Sequence, residues 1–510
     1  MAENISKVGV IGLGTMGAGI VEVLAAGGLD VVGVEYSQEL VDAGRARLEK
    51  STERAARRGR ITEEERTALL GRVGYSTSFA DLADRDLVVE AVSERMELKR
   101  EIFGRLDEVV PADAVLATNT SSLSVTEIAA CTGRPSQVVG MHFFNPAQVQ
   151  RLVEVVHTVS TADVVVEAIV DLAQRLGKHP VVVGDRAGFI ANALLFGYLN
   201  RAIGMYERGH ASREDIDTAM RVGCGYPLGP LALLDLIGLD TAHEVLGVMY
   251  RETGDRRYVA APLLGQLVTA GRLGRKTGRG FYTYEAAGSG TAVADERTPA
   301  GPAELPDVGR VGLIGSGEQV KAVGAVLDAA SVEVRRDSAT ADCDLVVAAA
   351  AGVPVIKLAV AAGAAARVVG LNVPVPDGDL VQVVRSVDTP DETVQQAVAL
   401  CRQAGKTPVV CADRAGQLLD ALLLPYLNDA VQMVESGYAT VEGVDAAMRL
   451  GCALSKGPFQ LVDEIGLDTV LTRQWTIYDE VRESGLVPSP LLAEYVTAGR
   501  GFHDQPGDAS

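Results

Sequence analysis

The chain has 510 residues and a formal net charge of −20 at pH 7, so it is strongly acidic and too long for one ordinary domain. Hydrophobic residues make up 47% of it and charged residues 22%, which excludes a disordered, collagen-like or fibrous protein. Binding to nucleic acid or to an anionic membrane is disfavoured, because both need clustered Lys and Arg.

The cysteines and the N-terminal residues carry no sign of secretion or of a metal site. The six cysteines contain no C-x-x-C pair, so we expect neither a metal site nor a disulfide framework. The first residues lack a basic segment followed by an apolar one, so we expect no signal peptide and a cytoplasmic protein. One long apolar tract, residues 345–371, is broken by Pro354, Lys357 and Arg367 and indicates buried strands rather than a membrane span.

Short apolar runs alternate with helical patterns in the first part of the chain. We predict strands at Val8–Ile11, Val31–Val34, Leu87–Ala91, Val115–Thr118 and Val138–Met141. Strands and helices that alternate in this way are typical of βαβ units, in which the strands run parallel. The sequence therefore predicts an α/β domain with an open, mostly parallel sheet.

A glycine-rich turn follows the first of these strands. Gly12-x-Gly14-x-x-Gly17 leads into a helical pattern, and Glu35 directly follows the second predicted strand, 23 residues after Gly12. Glycines at these positions allow a tight turn and let a pyrophosphate approach the positive N-terminus of the helix. A carboxylate after the second strand accepts hydrogen bonds from a ribose and repels a 2′-phosphate. The pattern therefore predicts NAD rather than NADP as the cofactor.

Three residues are candidates for catalysis of a dehydrogenation, which needs a base near the reacting hydroxyl and a group that orients the base. His142 directly follows a predicted strand, where ligands bind in open α/β sheets. Glu154 lies twelve residues later, on an apolar run that can return beside His142. Ser121 lies in an Asn-Thr-Ser-Ser turn after another strand.

The chain contains an internal duplication. Residues 185–272 align with residues 413–500 without a gap, at a constant offset of 228, and both segments have helical periodicity. A shortened strand and helix region precedes the second helical segment, and residues 286–308 are rich in Ala, Gly, Ser, Thr and Pro, as linkers are. We predict a nucleotide-binding domain, a helical domain, a linker, a reduced nucleotide-binding domain and a second helical domain, at 1–184, 185–285, 286–308, 309–410 and 411–510.

Seven stretches resemble the 3-hydroxyacyl-CoA dehydrogenase family, in the order and at the spacing of that family. They are GLGTMGAGI, DLVVEAVSE, ATNTSSLSVTEIA, GMHFFNPAQVQRLVEVV, LGKHPVVVGDRAGFIANALL, AMRVGCGYPLGPLALLDLIGLD and GRKTGRGFYTY, and they span about residues 5–285. The resemblance implies a Rossmann domain followed by an all-α domain, duplicated in tandem with a reduced second Rossmann-like domain. The whole chain is similar to the long bacterial 3-hydroxybutyryl-CoA dehydrogenases.

The resemblance also implies roles for single residues. His142 would be the general base for the 3-hydroxyl of an (S)-3-hydroxyacyl-CoA, and Glu154 would orient its imidazole. Ser121 and Asn192 would hydrogen-bond the substrate oxygen. Further matching positions lie around NAD (Glu94, Lys99, Asn119 and Asn145) or contact CoA in a basic helical stretch (Ser51 and Arg58).

The second copy departs from the family at its catalytic positions. It has Asn372 for His142, Gln382 for Glu154 and Asp420 for Asn192, and it lacks the Asn-Thr-Ser-Ser turn. We therefore predict that the second copy is inactive. We further expect it to form a dimer-like contact with the first copy within one chain, so that the protein is an internal pseudo-dimer, with a homo-oligomer left open.

Several substrates remain open. Our first expectation is 3-hydroxybutyryl-CoA, and the alternatives are 3-hydroxyadipyl-CoA of phenylacetate breakdown and a free 3-hydroxy acid. The 3-hydroxyisobutyrate and 6-phosphogluconate dehydrogenases share the GLGxMG start, but they use a Lys where this chain has Gly188. A binding protein built on a retired enzyme fold is disfavoured, because the first copy keeps its complete catalytic set.

Overall fold

A computed structural model describes residues 5–299, 308–336, 342–350, 352–363, 367–375 and 378–504. Within these residues the chain forms two compact units, and each contains segments of both copies of the duplication. The first unit holds residues up to 193, with 251–253 and 436–457; the second holds 194–250, 254–435 and 458 onwards. The part of the predicted linker from 300 to 307 lies outside the described residues. The five-segment division stays a prediction.

An eight-stranded sheet forms the centre of the first unit. Its strands in chain order are β1 (Lys7–Ile11), β2 (Asp30–Val34), β3 (Val73–Ser76), β4 (Leu87–Glu90), β5 (Val115–Thr118), β6 (Val138–Phe143), β7 (Leu152–His157) and β8 (His179–Gly184). Their order in the sheet is β3-β2-β1-β4-β5-β6-β7-β8. All neighbours are parallel except β6 and β7, which are antiparallel. Strands β4, β5 and β6 are buried along their whole length, which explains their continuous apolar sequence.

Helices connect the strands of this sheet. They are α1 (Thr15–Ala26), α2 (Gln38–Arg57), α3 (Glu63–Leu70), α4 (Met96–Val109), α5 (Val125–Ala129) and α6 (Asp163–Arg175). Side chains cap the N-termini of two of these helices. Ser37 caps α2, and Thr62 and Glu65 form a reciprocal capping box at α3. The connection between the parallel strands β2 and β3 thus consists of two capped helices, α2 and α3.

Helical elements of the first copy follow the sheet. They are α7 (Ala191–Glu207), α8 (Arg213–Cys224), α9 (Pro230–Ile237), α10 (Leu239–Thr253) and α11 (Pro262–Thr269). Two short strands, β9 (Thr283–Tyr284) and β10 (Ala292–Val293), form an antiparallel pair, so β10 occupies part of the predicted linker.

A smaller sheet belongs to the second unit, with the order β12-β11-β13-β14-β15-β16. Its strands are β11 (Arg310–Ile314), β12 (Glu333–Arg336), β13 (Leu345–Ala349), β14 (Val368–Asn372), β15 (Leu380–Arg385) and β16 (Thr407–Ala412), and its helices are α12 (Glu318–Ala329), α13 (Val355–Ala361) and α14 (Asp391–Gln403). The second helical segment comprises α15 (Leu419–Glu435), α16 (Val441–Gly451), α17 (Pro458–Ile465), α18 (Leu467–Val481) and α19 (Pro490–Ala498). The predicted fold class is confirmed: a Rossmann domain and a helical domain, duplicated, with a reduced second sheet.

The two copies exchange one equivalent helix. In the first unit, α16 of the second copy lies against β7 and β8 of the first sheet. In the second unit, α8 of the first copy lies against β15 and β16 of the second sheet. Residues of α8 and α16 correspond at the offset of 228, so each sheet is covered by the helix of the other copy. No helix among the described residues is long and apolar enough to cross a membrane.

Candidate active site

The turn between β1 and α1 is built for a close approach of backbone to ligand. Gly12 has φ +88°, and a Cβ there would lie 2.8 Å from the carbonyl oxygen of Ala91. A Cβ on Gly17 would lie 1.7 Å from the carbonyl oxygen of Gly12, so only glycine fits where helix and turn touch. Gly14, at the N-terminus of α1, faces open space. These are the three functions that a dinucleotide-binding turn requires of its glycines.

Glu35 lies at the carboxyl end of β2, directly beside this turn. One of its oxygens accepts a hydrogen bond from the backbone N–H of Leu13 at 2.7 Å, and the other accepts one from the N–H of Tyr36 at 3.1 Å. The first turn of α1 holds no acidic residue, so the positive helix N-terminus stays available for a phosphate. The residues present therefore fit an NAD molecule.

A basic cluster occupies the C-terminal half of α2 and the residue that follows the helix. Lys50, Arg54, Arg57 and Arg58 line a cavity of about 390 Å³. Ser51, on the same helix, accepts a hydrogen bond from the amide of Gln148 at 3.0 Å. In a protein of net charge −20, this cluster concentrates positive charge where a phosphorylated ligand can be held.

His142 and Glu154 form the central contact of the site. The antiparallel register of β6 and β7 places the two residues directly opposite each other. Their side chains are buried, and Nδ1 of His142 lies 2.7 Å from a carboxylate oxygen of Glu154. Nε2 of His142 has no hydrogen-bond partner among the described residues. A carboxylate on Nδ1 keeps the proton there, so that Nε2 is the free base.

Glu154 also fixes the start of α7. Its other oxygen accepts hydrogen bonds from the backbone N–H groups of Ile190 at 3.1 Å and Ala191 at 3.0 Å. Asn192 is the next residue, and its partly buried side chain makes no hydrogen bond with a described residue. One carboxylate thus connects the imidazole to the helix that carries Asn192.

Two aromatic rings pack against the imidazole. The ring centroid of Phe144 lies 4.6 Å from that of His142, and the ring centroid of Phe189 lies 5.6 Å from it. Phe189 has φ 45°, a left-handed backbone conformation that a bulky residue rarely adopts. These two apolar rings restrict the orientation of the imidazole. Sequence reasoning did not identify Phe189, although the duplication replaces it by Gln417.

Glu94 holds the Asn-Thr-Ser-Ser turn. Its carboxylate accepts hydrogen bonds from the hydroxyl of Thr120 at 2.6 Å and from the backbone N–H groups of Ser121 at 2.9 Å and Ser122 at 3.0 Å. Burial alone would raise the pKa of Glu94, but the Lys99 ammonium and these hydrogen bonds outweigh it and keep the pKa below its ordinary value. Glu94 therefore stays ionised and positions Ser121.

Lys99 belongs to a buried ion pair that sequence reasoning did not foresee. Its ammonium lies 2.8 Å and 2.9 Å from the two carboxylate oxygens of Glu90, and both side chains are completely buried. The ammonium also lies 3.6 Å from Glu94, so Lys99 links the core of the sheet to the carboxylate that holds Ser121. The predicted strand Leu87–Ala91 includes Glu90, but nothing in the sequence pattern indicated that its carboxylate is buried and paired with Lys99.

The two asparagines expected near the cofactor have different environments. The side-chain oxygen of Asn119 accepts a hydrogen bond from the backbone N–H of Phe143 at 2.8 Å, which ties β5 to the residue after His142. Asn145 is exposed. Arg58 is exposed as well. No group of His, Cys, Asp and Glu that could hold a metal ion occurs among the described residues.

The second copy keeps this framework but replaces its charged groups by amides. The side-chain oxygen of Gln382 accepts hydrogen bonds from the N–H groups of Leu418 at 3.0 Å and Leu419 at 2.8 Å, as Glu154 does in the first copy. Gln417 accepts from the side-chain amides of both Gln382 and Asn372. Asn372 stands at the position of His142, so no imidazole is present there.

Comparison with known protein families shows to which family the chain is related. The model of the 3-hydroxyacyl-CoA dehydrogenase NAD-binding domain matches residues 7–186 and 334–414, and that of the C-terminal domain matches residues 188–284 and 416–504. The chain belongs to the 3-hydroxyacyl-CoA dehydrogenase family. It is an NAD-dependent oxidoreductase of this family, which confirms the predicted enzyme class and cofactor.

Relatives within the 3-hydroxyacyl-CoA dehydrogenases cover either the first copy or the whole chain. A 3-hydroxybutyryl-CoA dehydrogenase of Mycobacterium tuberculosis is 48% identical over 286 residues, which are 56% of this chain and 100% of the relative. A 3-hydroxyadipyl-CoA dehydrogenase of Escherichia coli is 34% identical and covers 98% of this chain and 100% of its own. The crystal structure of a 3-hydroxybutyryl-CoA dehydrogenase from Escherichia coli covers 97% of this chain and 98% of its own, with 32% identity and a TM-score of 0.81.

Proposed function

We propose that the first copy oxidises (S)-3-hydroxyacyl-CoA to 3-oxoacyl-CoA, and that His142 is the general base. The observation that carries this proposal is the buried contact of 2.7 Å between His142 Nδ1 and Glu154, with Nε2 left without a hydrogen-bond partner in the described part of the chain. When bound, NAD would accept the hydride that leaves C3 of the substrate.

The chain's own residues would handle the proton. Nε2 of His142 takes the proton of the 3-hydroxyl, and the carboxylate of Glu154 stabilises the imidazolium that forms. The hydroxyl of Ser121 and the amide of Asn192 donate hydrogen bonds to the substrate oxygen, on which negative charge develops. The basic cluster on α2 binds the phosphates of CoA, with Ser51 and Arg58 among its contacts.

For the acyl group we propose 3-hydroxybutyryl-CoA, with 3-hydroxyadipyl-CoA as the second candidate. The first is supported by the names of the relatives that match the first copy, and the second by a relative that covers the whole chain. The test is kcat/KM with NAD for (S)-3-hydroxybutyryl-CoA, its (R) isomer and (S)-3-hydroxyadipyl-CoA. We expect the (S)-C4 ester to be used best. A higher kcat/KM for the dicarboxylic ester would favour the second candidate, and preference for the (R) isomer would contradict the proposed geometry.

Replacing Glu35 by alanine is expected to weaken NAD binding about tenfold or more, because charge-assisted hydrogen bonds to the ribose are lost. At saturating NAD, kcat should stay close to that of the wild type, since Glu35 does not contact the reacting atoms. Fluorescence titration with NADH measures the affinity. The matched control is Glu39→Ala, which removes an exposed carboxylate in the first turn of α2 and should leave the affinity unchanged. Equal affinities of the two variants would exclude Glu35 as a cofactor ligand.

We also propose that the second copy is inactive and binds no dinucleotide. When the first strands of the two copies, β1 and β11, are aligned, Val320 takes the position of Gly17. A Cβ at Gly17 would collide with the glycine turn of the first copy. The first turn of α12 carries Glu318, whose charge opposes a phosphate at the helix N-terminus. The second copy has therefore lost both the cofactor-binding turn and the imidazole of the general base.

The role we propose for the second copy is to support the first catalytic domain through α16. A Cβ on Gly451, the last residue of α16, would lie 2.7 Å from Leu152 Cδ2 and 3.0 Å from the ring of Phe144. Phe144 in turn packs on His142. The helix therefore supports the ring that restricts the catalytic imidazole.

Gly451→Val is expected to lower kcat about tenfold, because an overpacked side chain displaces Phe144 and with it the imidazole. The matched control is Gly223→Val, at the equivalent position of α8. A Cβ there would lie 2.8 Å from Leu419 and 2.9 Å from Leu380, so a similar loss of stability is expected, without an effect on His142. Equal kcat values for the two variants would contradict the supporting role. So would a fragment of residues 1–285 that is stable, monomeric and fully active.

A further inference from the structure

The second unit contains a large cavity outside the residues discussed so far. It has a volume of about 870 Å³, within the range of small-molecule sites, and lies among α7, the segment that follows α10 and the segment that follows α18. All of its lining residues belong to the second unit, whereas His142 and Glu154 belong to the first. Five arginines line it: Arg201, Arg208, Arg256, Arg257 and Arg482.

Within the described residues, only two of these arginines form ion pairs. Arg257 pairs with Asp255 at 2.7 Å and with Asp429 at 2.8 Å. Arg482 pairs with Asp479 at 3.0 Å. The guanidinium groups of the other three make no hydrogen bond or ion pair with any residue that the structure describes.

Three carboxylates also line the cavity, and none of them forms an ion pair with these three arginines. The carboxylate of Asp255 forms an ion pair with the guanidinium of Arg257 and accepts a hydrogen bond from the backbone N–H of Arg257. Glu207 accepts a hydrogen bond from the backbone N–H of Leu263 at 2.9 Å. Glu483 attracts Arg201 without forming an ion pair with it. The lining therefore presents unpaired guanidinium groups in a protein whose net charge is −20.

Arg201 is the least solvated of the three unpaired arginines. It lies on α7 and is partly buried, whereas Arg208 and Arg256 are exposed. Burial lowers the pKa of its guanidinium, as do the neighbouring Arg208 and Arg257, and the attraction of Asp429 and Glu483 does not offset this effect. A charge in this situation is stabilised by an anion placed next to it.

The duplication provides an internal comparison. At the offset of 228, the second copy has Asp429 for Arg201, Ser484 for Arg256 and Gly485 for Arg257, and it still forms the helices α15 and α18. Asp429 itself pairs with Arg257 and attracts Arg201, so it accounts for part of this positive charge. Arg208 and Arg256 have no counter-ion among the described residues, and they point to an anionic ligand.

We propose that this cavity is a second ligand site, which takes a small polyanion that bears phosphate groups. A phosphate group carries close to two negative charges at pH 7 and has the oxygen geometry that guanidinium groups bind in pairs of hydrogen bonds. Arg201 forms the floor of the site, and Arg208 and Arg256 form its rim. The site is independent of the dehydrogenase reaction, since it shares no residue with the catalytic set.

Calorimetric titration of the full-length protein with inorganic pyrophosphate tests this proposal. We expect saturable binding that Arg201→Gln and Arg208→Gln each weaken about tenfold or more. Arg208 is exposed, so its variant tests the site even if Arg201→Gln folds poorly. The matched control is Arg221→Gln, which removes an exposed arginine of α8 and should leave binding unchanged. Citrate, a polyanion without phosphate, should bind more weakly than pyrophosphate.

The basic cluster on α2 also attracts pyrophosphate, and the Arg58→Gln variant separates the two sites. Binding that survives in Arg58→Gln and is lost in Arg208→Gln supports the cavity. The proposal is overturned if pyrophosphate binding is lost in Arg58→Gln alone. It is also overturned if the wild type shows no saturable binding below about 1 mM. Citrate that binds as tightly as pyrophosphate would overturn the assignment to phosphate.

Discussion

Replacement of His142 by asparagine is expected to lower kcat about 10²–10⁴-fold, which is the usual effect of removing a general base. Asparagine is the residue that the second copy carries at this position, so the variant converts the first site into a likeness of the second. Its side-chain amide accepts no proton near neutral pH, whereas Nε2 of the imidazole is free to do so. Steady-state turnover of the 3-hydroxyacyl-CoA substrate with saturating NAD measures the loss.

Cofactor binding separates this chemical effect from a folding defect. The His142→Asn variant should bind NADH with the affinity of the wild type, because the glycine turn and Glu35 lie on other strands of the sheet. A variant with turnover close to that of the wild type would show that His142 is not the base. A variant that neither turns over nor binds NADH would have lost its fold, and Glu154→Gln would then replace it as the test.

Replacement of Lys99 by methionine is expected to lower the free energy of unfolding by about 3–5 kcal/mol, because it leaves the buried carboxylate of Glu90 without its counter-ion. The side chains of Lys99 and Glu90 are both completely buried, so water cannot take the place of the ammonium. Glu90 also accepts a hydrogen bond from the hydroxyl of Thr118 at 2.7 Å, which ties the pair to β5. Urea unfolding followed by far-ultraviolet circular dichroism measures the change in stability.

An exposed ion pair of the same sheet provides the control for Lys99. Lys7→Met breaks the contact of 2.7 Å between Lys7 and Asp84, whose side chains are about half exposed, and should change stability by no more than about 1 kcal/mol. In a second control, Glu90→Gln combined with Lys99→Met removes both charges and should restore part of the loss. Equal stabilities of Lys99→Met and Lys7→Met would contradict the account of the buried pair.

The sequence predicted those parts of the site that depend on local pattern. Gly12, Gly14 and Gly17 follow a strand and precede a helix, and this context alone predicts a dinucleotide-binding turn. Glu154 could be placed beside His142 because two apolar runs separated by a short turn tend to pair. The duplication was visible at once, since its copies align without a gap.

Other features depend on contacts that no local pattern carries. The helices α8 and α16 have corresponding sequences, so nothing in them tells which sheet each one covers, and the exchange appears only in the structure. Phe189 adopts a left-handed conformation that its residue type disfavours, and the surrounding packing imposes it. Glu90 and Lys99 stabilise each other inside the protein, although each alone would be expected at the surface.

We propose above all that the first copy carries a working NAD-dependent dehydrogenase site for CoA esters. Its most direct test is the loss of absorbance at 340 nm when the purified protein is mixed with NADH and acetoacetyl-CoA, with NADPH and with free acetoacetate as controls. We expect rapid oxidation with NADH and the CoA ester, and little with either control. NADH that binds but is oxidised equally well by free acetoacetate, or not by any 3-oxoacyl-CoA, would contradict the proposed function.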